Sequence, residues 1–425
     1  MKDSRKEIFA WALYDWANSA FATTVMAAFF PIFFSQYWSY GSDSATSTFF
    51  LGLGNSIESL IVAICAPVLG AIADRGSYRK KLLILFAFLG AVMTGALFWV
   101  SMGLWPVAMI FYIAANVGFA GANTFYDSLL PSVASEKKVD FVSSLGYGLG
   151  YIGGGLLFLI NVLMYLFPSA FGLPDEITAV KVSFLMVGIW WIVFTIPLLI
   201  FVKEEGGEKL SLGKAVKDGF GAVRKTLTSL KKLKNTALFL VAYWCYIDGV
   251  DTIIRMATDY GTALGFTTSS LIVALLITQF VAFPAALLYN IFGHRVGIKN
   301  ALLVAIGGYT VIACFGFFMS NETQFYILAV CIGLFQGGIQ ALSRSYYTRL
   351  IPQEEASQFY GFFNMLGKFA AIIGPLLLGI VTLITGEQRY GILSLIILFA
   401  VGGLLLYKVD DRNVDKELDA FRSAE

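Results

Sequence analysis

The chain has 425 residues, 58% hydrophobic and 14% charged, with a mean hydropathy of +0.74 and a formal net charge of +2. Charged residues alone make up about a quarter of a soluble globular protein, so this composition excludes that class and indicates an integral membrane protein. The near-neutral balance argues against a nucleic-acid partner. Cys65, Cys245, Cys314 and Cys331 lie in apolar runs without ligand-like spacing and His294 is the only histidine, so neither a disulfide framework, a metal site nor a cofactor is expected.

In chain order, MKDSRKE leads directly into a long apolar run with no small-residue cleavage site, which reads as a retained first span and not a signal peptide. Runs long enough to cross a bilayer follow at Ile8–Trp38, Thr48–Ala73, Leu82–Met102, Pro106–Leu130, Phe141–Phe167 and Val182–Val202, then at Thr236–Gly261, Ser269–Phe292, Ala301–Ser320, Phe325–Leu342, Phe359–Thr385 and Tyr390–Tyr407. The expected organisation is a six-helix bundle over 1–202, a basic cytoplasmic linker over 203–235, a second six-helix bundle over 236–407 and a cytoplasmic tail over 408–425. With both termini inside, 26 of the 30 Lys and Arg fall in cytoplasmic segments, Arg344 and Arg349 among them. That bias predicts the orientation. A plasma (bacterial inner) membrane is the expected location, and a monomer the expected state.

Polar residues recur with a period of three spans. Spans one, four, seven and ten carry polar faces: Asp15, Asn18, Ser19, Thr23 and Thr24; Asn116, Asn123 and Asp127; the seventh-span charges; and Gln336, Gln340 and Ser343. Spans three, six, nine and twelve are almost wholly apolar, as a lipid-facing wall would be. Such a period fits nested inverted three-helix repeats, with the binding site between the halves near the midplane. The glycines from Gly146 to Gly155 in the fifth span predict close helix packing.

The seventh span holds YIDGVDTIIRMATDY, Tyr246–Tyr260. At 100° per residue Asp248, Asp251, Arg255 and Asp259 share an arc of about 80°, and Asp248 lies roughly 18 Å from Thr236, near mid-bilayer. Intramembrane charges are costly and by default functional. Asp248, Asp251 and the mid-depth Glu58 of span two are therefore candidate proton carriers, and Arg255 a candidate for an anionic substrate group. Asp15 is the candidate counter-charge for a substrate ammonium, with Asn18, Asn123, Gln336, Gln340 and Lys368 completing the candidate binding set. The bland alternatives are local pairing of Arg255 with Asp251 and Asp259, interhelical hydrogen bonding by Asp15, and a purely charge-balancing Lys368.

GAIADRGSYRKK, Gly70–Lys81, resembles the loop signature of the major facilitator superfamily, with His294 standing where the second-half echo often has an acid. ALYDWANSAFATTV, AYWCYIDGVDTI, QGGIQALSRSYYTRLIP and FYGFFNMLGKFAAIIGP resemble the vacuole-effluxer branch, the autophagy-related amino-acid effluxers and their bacterial relatives. The resemblance implies a twelve-helix all-α major facilitator fold and a secondary transporter of a small polar or zwitterionic solute. It also implies a cytoplasmic gate at Asp74, Arg75 and the neighbouring Arg79. The expected partners are that solute, protons or sodium, and membrane lipids. Transport of anionic metabolites, peptides or lipids, or a non-transporting receptor, remain alternatives. An intramembrane aspartyl hydrolase using Asp15 and Asp248 lacks a second supporting motif, so no enzyme is expected.

Overall fold

The computed structural model describes residues 2–41, 44–76, 78–204 and 233–423; the side chains of Arg75, Asp259 and Lys368 and most of the expected linker lie outside the described residues. Twelve main helices follow in order: α1 (Arg5–Trp38), α2 (Ser44–Gly76), α3 (Arg79–Trp99), α4 (Trp105–Ser128), α5 (Val139–Leu166), α6 (Glu176–Phe201), α7 (Lys234–Ala263), α8 (Thr268–Val296), α9 (Ile298–Phe318), α10 (Glu322–Leu350), α11 (Ala356–Thr385) and α12 (Gln388–Tyr407). A short α13 (Val414–Arg422) follows. Eleven helices among the described residues are long and apolar enough to cross a membrane; α11 contributes the shorter apolar stretch Ile373–Thr385.

Local sequence sets the ends and irregularities of these helices. Asp175, Thr267 and Asn321 cap α6, α8 and α10, their side chains accepting the N–H of Thr178, Ser270 and Gln324. Pro31 in α1 lacks an N–H and its ring crowds the preceding turn. The helix widens to π geometry on either side, at Phe21–Phe29 and Phe34–Trp38.

Two apolar cores form, one from α1–α6 and one from α7–α13. The two halves meet where α2 packs on α11, α5 on α8 and α10, and α4 on α11. Helices α3, α6, α9 and α12 pack chiefly within their own half. Close approach at the α1–α5 contact depends on glycine: a Cβ on Gly150 would come within 2.6 Å of Ser19 Oγ, and one on Gly153 within 2.6 Å of the Trp16 ring. Gly148 and Gly155 turn the other way, toward Phe283 and Gln279 of α8.

Both chain ends lie on one side of the bundle, the terminal side. There Lys2 Nζ donates to Gln353 at 3.1 Å and Arg422 pairs with Glu354 at 3.7 Å, so both ends touch the connection between α10 and α11. The amphipathic α13 buries Val414, Leu418 and Phe421, spaced i, i+4 and i+7. Its Glu417 accepts from the backbone and side-chain nitrogens of Asn235 at the start of α7.

Candidate functional site

A cavity of about 320 Å³ lies between the halves. Helix α1 lines it with Asp15, Asn18, Ser19, Ala22, Thr23 and Ala27 at helical spacing. Phe119, Asn123, Tyr126 and Asp127 face it from α4, Tyr147 and Tyr151 from α5, and Thr278 and Gln279 from α8. Gln336, Gln340 and Arg344 form a straight i, i+4, i+8 stripe on α10. Two hydrogen bonds tie the amides to their neighbours: Asn18 Nδ2 donates to Asn123 Oδ1 at 2.5 Å, and Tyr151 OH donates to Gln340.

The terminal end of the cavity is closed by Arg344. Its Nε donates to Ser143 Oγ at 3.0 Å, Nη1 to Asp15 and Asp127 at 3.2 and 3.1 Å, and Nη2 to Asp15 at 3.2 Å and the Ser143 carbonyl at 2.9 Å. All five N–H groups are thereby used, every partner belonging to the other half. The guanidinium is also packed over the rings of Tyr147, Trp11 and Tyr126, 4.2, 4.9 and 5.4 Å from their centroids. Arg344 is 2% exposed, which removes it from the interfacial anchors with which the charge tally grouped it. It is a buried inter-half bridge. Continuation of the Gln336–Gln340 stripe by one step was the signal that could have found it.

A second tie lies further out on the terminal side. Asp74 at the end of α2 accepts from the backbone N–H groups of Ser357 and Gln358, at 3.1 and 2.8 Å, at the first turn of α11. A carboxylate there meets unpaired N–H groups and the positive end of the helix dipole. Arg79 binds the same carboxylate at 2.7 Å and donates to the Glu354 carbonyl at 3.1 Å. Ser357 Oγ donates to Ser128 Oγ at 2.9 Å, Ser143 Oγ to the Ala341 carbonyl at 2.8 Å, and Arg349 pairs with Asp140.

Three of the seventh-span charges, Asp248, Asp251 and Arg255, meet different surroundings. Asp248 is buried against α11, accepting from Gly374 N–H at 2.9 Å and from Thr252 Oγ1 at 3.4 Å. Pro375 next to it lies inside the continuous α11 and lacks an N–H for its ladder, so Asp248 sits beside a locally thinned stretch of backbone hydrogen bonding. Asp251 is half-buried, within electrostatic reach of Tyr147, Tyr151 and Tyr243, and Arg255 is exposed. Glu58 of α2 is buried and shares the neighbourhood of Tyr112 with Arg255. Asp15, Asn18, Asn123, Gln336 and Gln340 thus meet at the cavity, while Glu58, Asp248 and Arg255 are not among its described lining residues. His294 is exposed at the end of α8.

Against known proteins, a family model described as "Vacuole effluxer Atg22 like" matches residues 3–49 and 37–419. The chain belongs to the Atg22-like family. A relative, the uncharacterized MFS-type transporter YxiO of Bacillus subtilis (strain 168), is 39% identical over 408 residues, spanning 96% of this chain and 95% of its own. Autophagy-related protein 22 of Coccidioides immitis (strain RS) is 23% identical, spanning 98% and 89%. Among solved structures, the proton:xylose symporter XylE superposes with a TM-score of 0.75 at 12% identity, covering 98% of each chain. The transporter FucP in its outward conformation gives 0.72 at 13% identity, covering 96% of this chain and 100% of its own. The Atg22-like chain is an all-helical, multi-pass membrane protein with the major facilitator fold; YxiO is named as an MFS-type transporter, and the structural neighbours XylE and FucP as a symporter and a transporter.

Proposed function

We propose that this Atg22-like protein transports a small zwitterionic solute, an amino acid being the first candidate, by alternating access with proton coupling. The observation that carries the reading is the polar cavity between the halves, closed on the terminal side and holding fixed groups of both charge signs. Asp15 offers an acceptor to an ammonium group, and Asn18, Asn123, Gln279, Gln336 and Gln340 offer donors to a carboxylate. Relatives described as vacuole effluxers support a solute-transport reading. Asp248, Asp251 and Glu58 are the proton carriers suggested by sequence; their burial or half-burial supports retaining them, and Asp127 beside Arg344 joins them. The proposed gate is Asp74 with Arg79, and the proposed orientation places the terminal side in the cytoplasm of a plasma membrane.

The test is solute exchange in liposomes carrying an internal pH-sensitive dye, with amino acids, their des-amino analogues and sugars added in turn. Exchange of amino acids with a proton signal, lost for the des-amino analogues, is the expected result. Sugars form the second reading, because the five amides would equally serve hydroxyl groups; exchange of sugars alone would replace the zwitterion reading. If solute moves without any proton signal, the coupling assignment falls. An unchanged proton signal in the double Asp248→Asn, Asp251→Asn protein would move the carrier to Glu58 or Asp127. For orientation, a C-terminal cytoplasmic reporter should be active and a periplasmic one silent; the reverse would invert the assignment.

A further inference from the structure

We propose that Arg344 is an ammonium-released lock between the halves, with Asp15 as its release point. This rests on the amine-binding part of the function proposed above and adds how binding is converted into movement.

Three observations carry it. The guanidinium projects from α10 and is gripped by α1, α4 and α5 through Asp15, Asp127 and Ser143, so α10 cannot leave these helices on the terminal side without breaking the grip. The site is buried, so separating Arg344 from its carboxylates carries a desolvation cost unless another partner takes their place. Asp15 is at once part of the grip and part of the cavity wall. Its Tyr126 and Arg344 contacts all fall on Oδ2, so Oδ1 retains capacity for another donor.

An ammonium group arriving in the cavity therefore meets a carboxylate already shared with Arg344. As it takes its own hydrogen bonds from Asp15, the Arg344 contacts on that carboxylate weaken, and only Asp127 and Ser143 still hold α10. The lock reads the cationic part of a solute, which selects primary amines over neutral or purely anionic molecules of the same shape.

The experiment measures the distance across the terminal side by paired spin labels at Lys137 and Arg412, both exposed and in opposite halves, in the full chain with its four native cysteines replaced by alanine. The probe is methylammonium chloride, with sodium chloride at equal ionic strength as control. In the otherwise unaltered protein, methylammonium should raise the ratio of long to short distances about tenfold, within the range of typical site-to-site coupling. Arg344→Gln should show the long distance without any amine. Since Arg344→Gln leaves two carboxylates, Asp15 and Asp127, without their cation, the double variant Arg344→Gln, Asp15→Asn, which keeps the net charge of the cluster, is measured beside it, and should be open and insensitive to the amine. Asp15→Asn alone should lose the methylammonium response.

A short distance in both Arg344→Gln and the double variant would overturn the lock. A response to methylammonium that survives Asp15→Asn would overturn the release point. If methylammonium opens the protein while no amino acid exchanges in liposomes, the lock stands and the amino-acid reading fails. If amino acids exchange but the Arg344 variants stay closed, the lock fails and the transport reading stands.

Discussion

At the scale of single residues, the cost of the Arg344 bridge explains its surroundings. A buried ion pair is favourable only when its remaining donors and acceptors are satisfied, and removing one partner of such a pair costs about 3–5 kcal/mol. Ser143 supplies the missing acceptors and three aromatic rings supply the packing. Gly146 makes the room, since a Cβ there would lie 2.5 Å from Asp15 Oδ2 and 2.9 Å from Arg344 Nη2. Gly146→Ala should thus destabilise the protein by about 1–3 kcal/mol, the usual range for overpacking, and depress transport more than Gly148→Ala, whose Cβ would meet Phe283 at an ordinary 3.4 Å. Thermal unfolding followed by size-exclusion chromatography, together with the exchange assay, checks both. Asp74 invites a similar comparison. Asp74→Asn replaces one acceptor oxygen by a donor facing the α11 N–H groups and removes the charge paired with Arg79. A hydrogen bond to a charged group contributes about 1.5–3 kcal/mol, so the closed state should lose roughly ten- to a hundredfold in population. Labels across the terminal side would read that shift; an unchanged distribution would reduce Asp74 to a helix cap.

Among the elements, α11 and α13 show how a helix end becomes a moving part. The first turn of α11 is held from the opposite half by Asp74, while its turn at Gly374, before Pro375, is held from within its own half by Asp248. Asp248 therefore has a structural duty besides any proton it carries. The α13 helix secures the connection feeding α11 and staples the start of α7 through Glu417. Leu418→Asp, which places a charge on its buried face, should detach α13 at a cost of about 1.5–3 kcal/mol for the lost side-chain burial alone. Proteolysis after residue 408 should then become rapid in the variant and stay slow in the parent; equal rates would show that α13 is not packed in solution.

For the molecule as a whole, length and apolarity were enough to read an all-helical, multi-pass chain, eleven of whose described helices are long and apolar enough to cross, and the three-span period anticipated that α1, α4, α7 and α10 contribute to the central cavity. The cavity amides were legible for the same reason: Asn18, Asn123, Gln336 and Gln340 lie on stripes that only a wet interior would justify. What sequence could not supply was pairing across the halves. Arg344 stands 329 residues from Asp15, and near the end of an apolar run a cation looks like an interfacial anchor until its partner is known. For Tyr246–Tyr260 the helical angle gave the shared arc but not the neighbour that each charge faces. Asp248 turns to α11 and Arg255 is exposed. The clasp of both chain ends on the α10–α11 connection bears on how the protein is handled. An affinity tag or fluorescent fusion at either end is attached beside the hinge it is meant to observe, and a bulky one loads Gln353 or Glu354 directly. The exposed turn at Gly172 between α5 and α6, on the far side of the molecule, is the place to insert an epitope that leaves the cycle undisturbed.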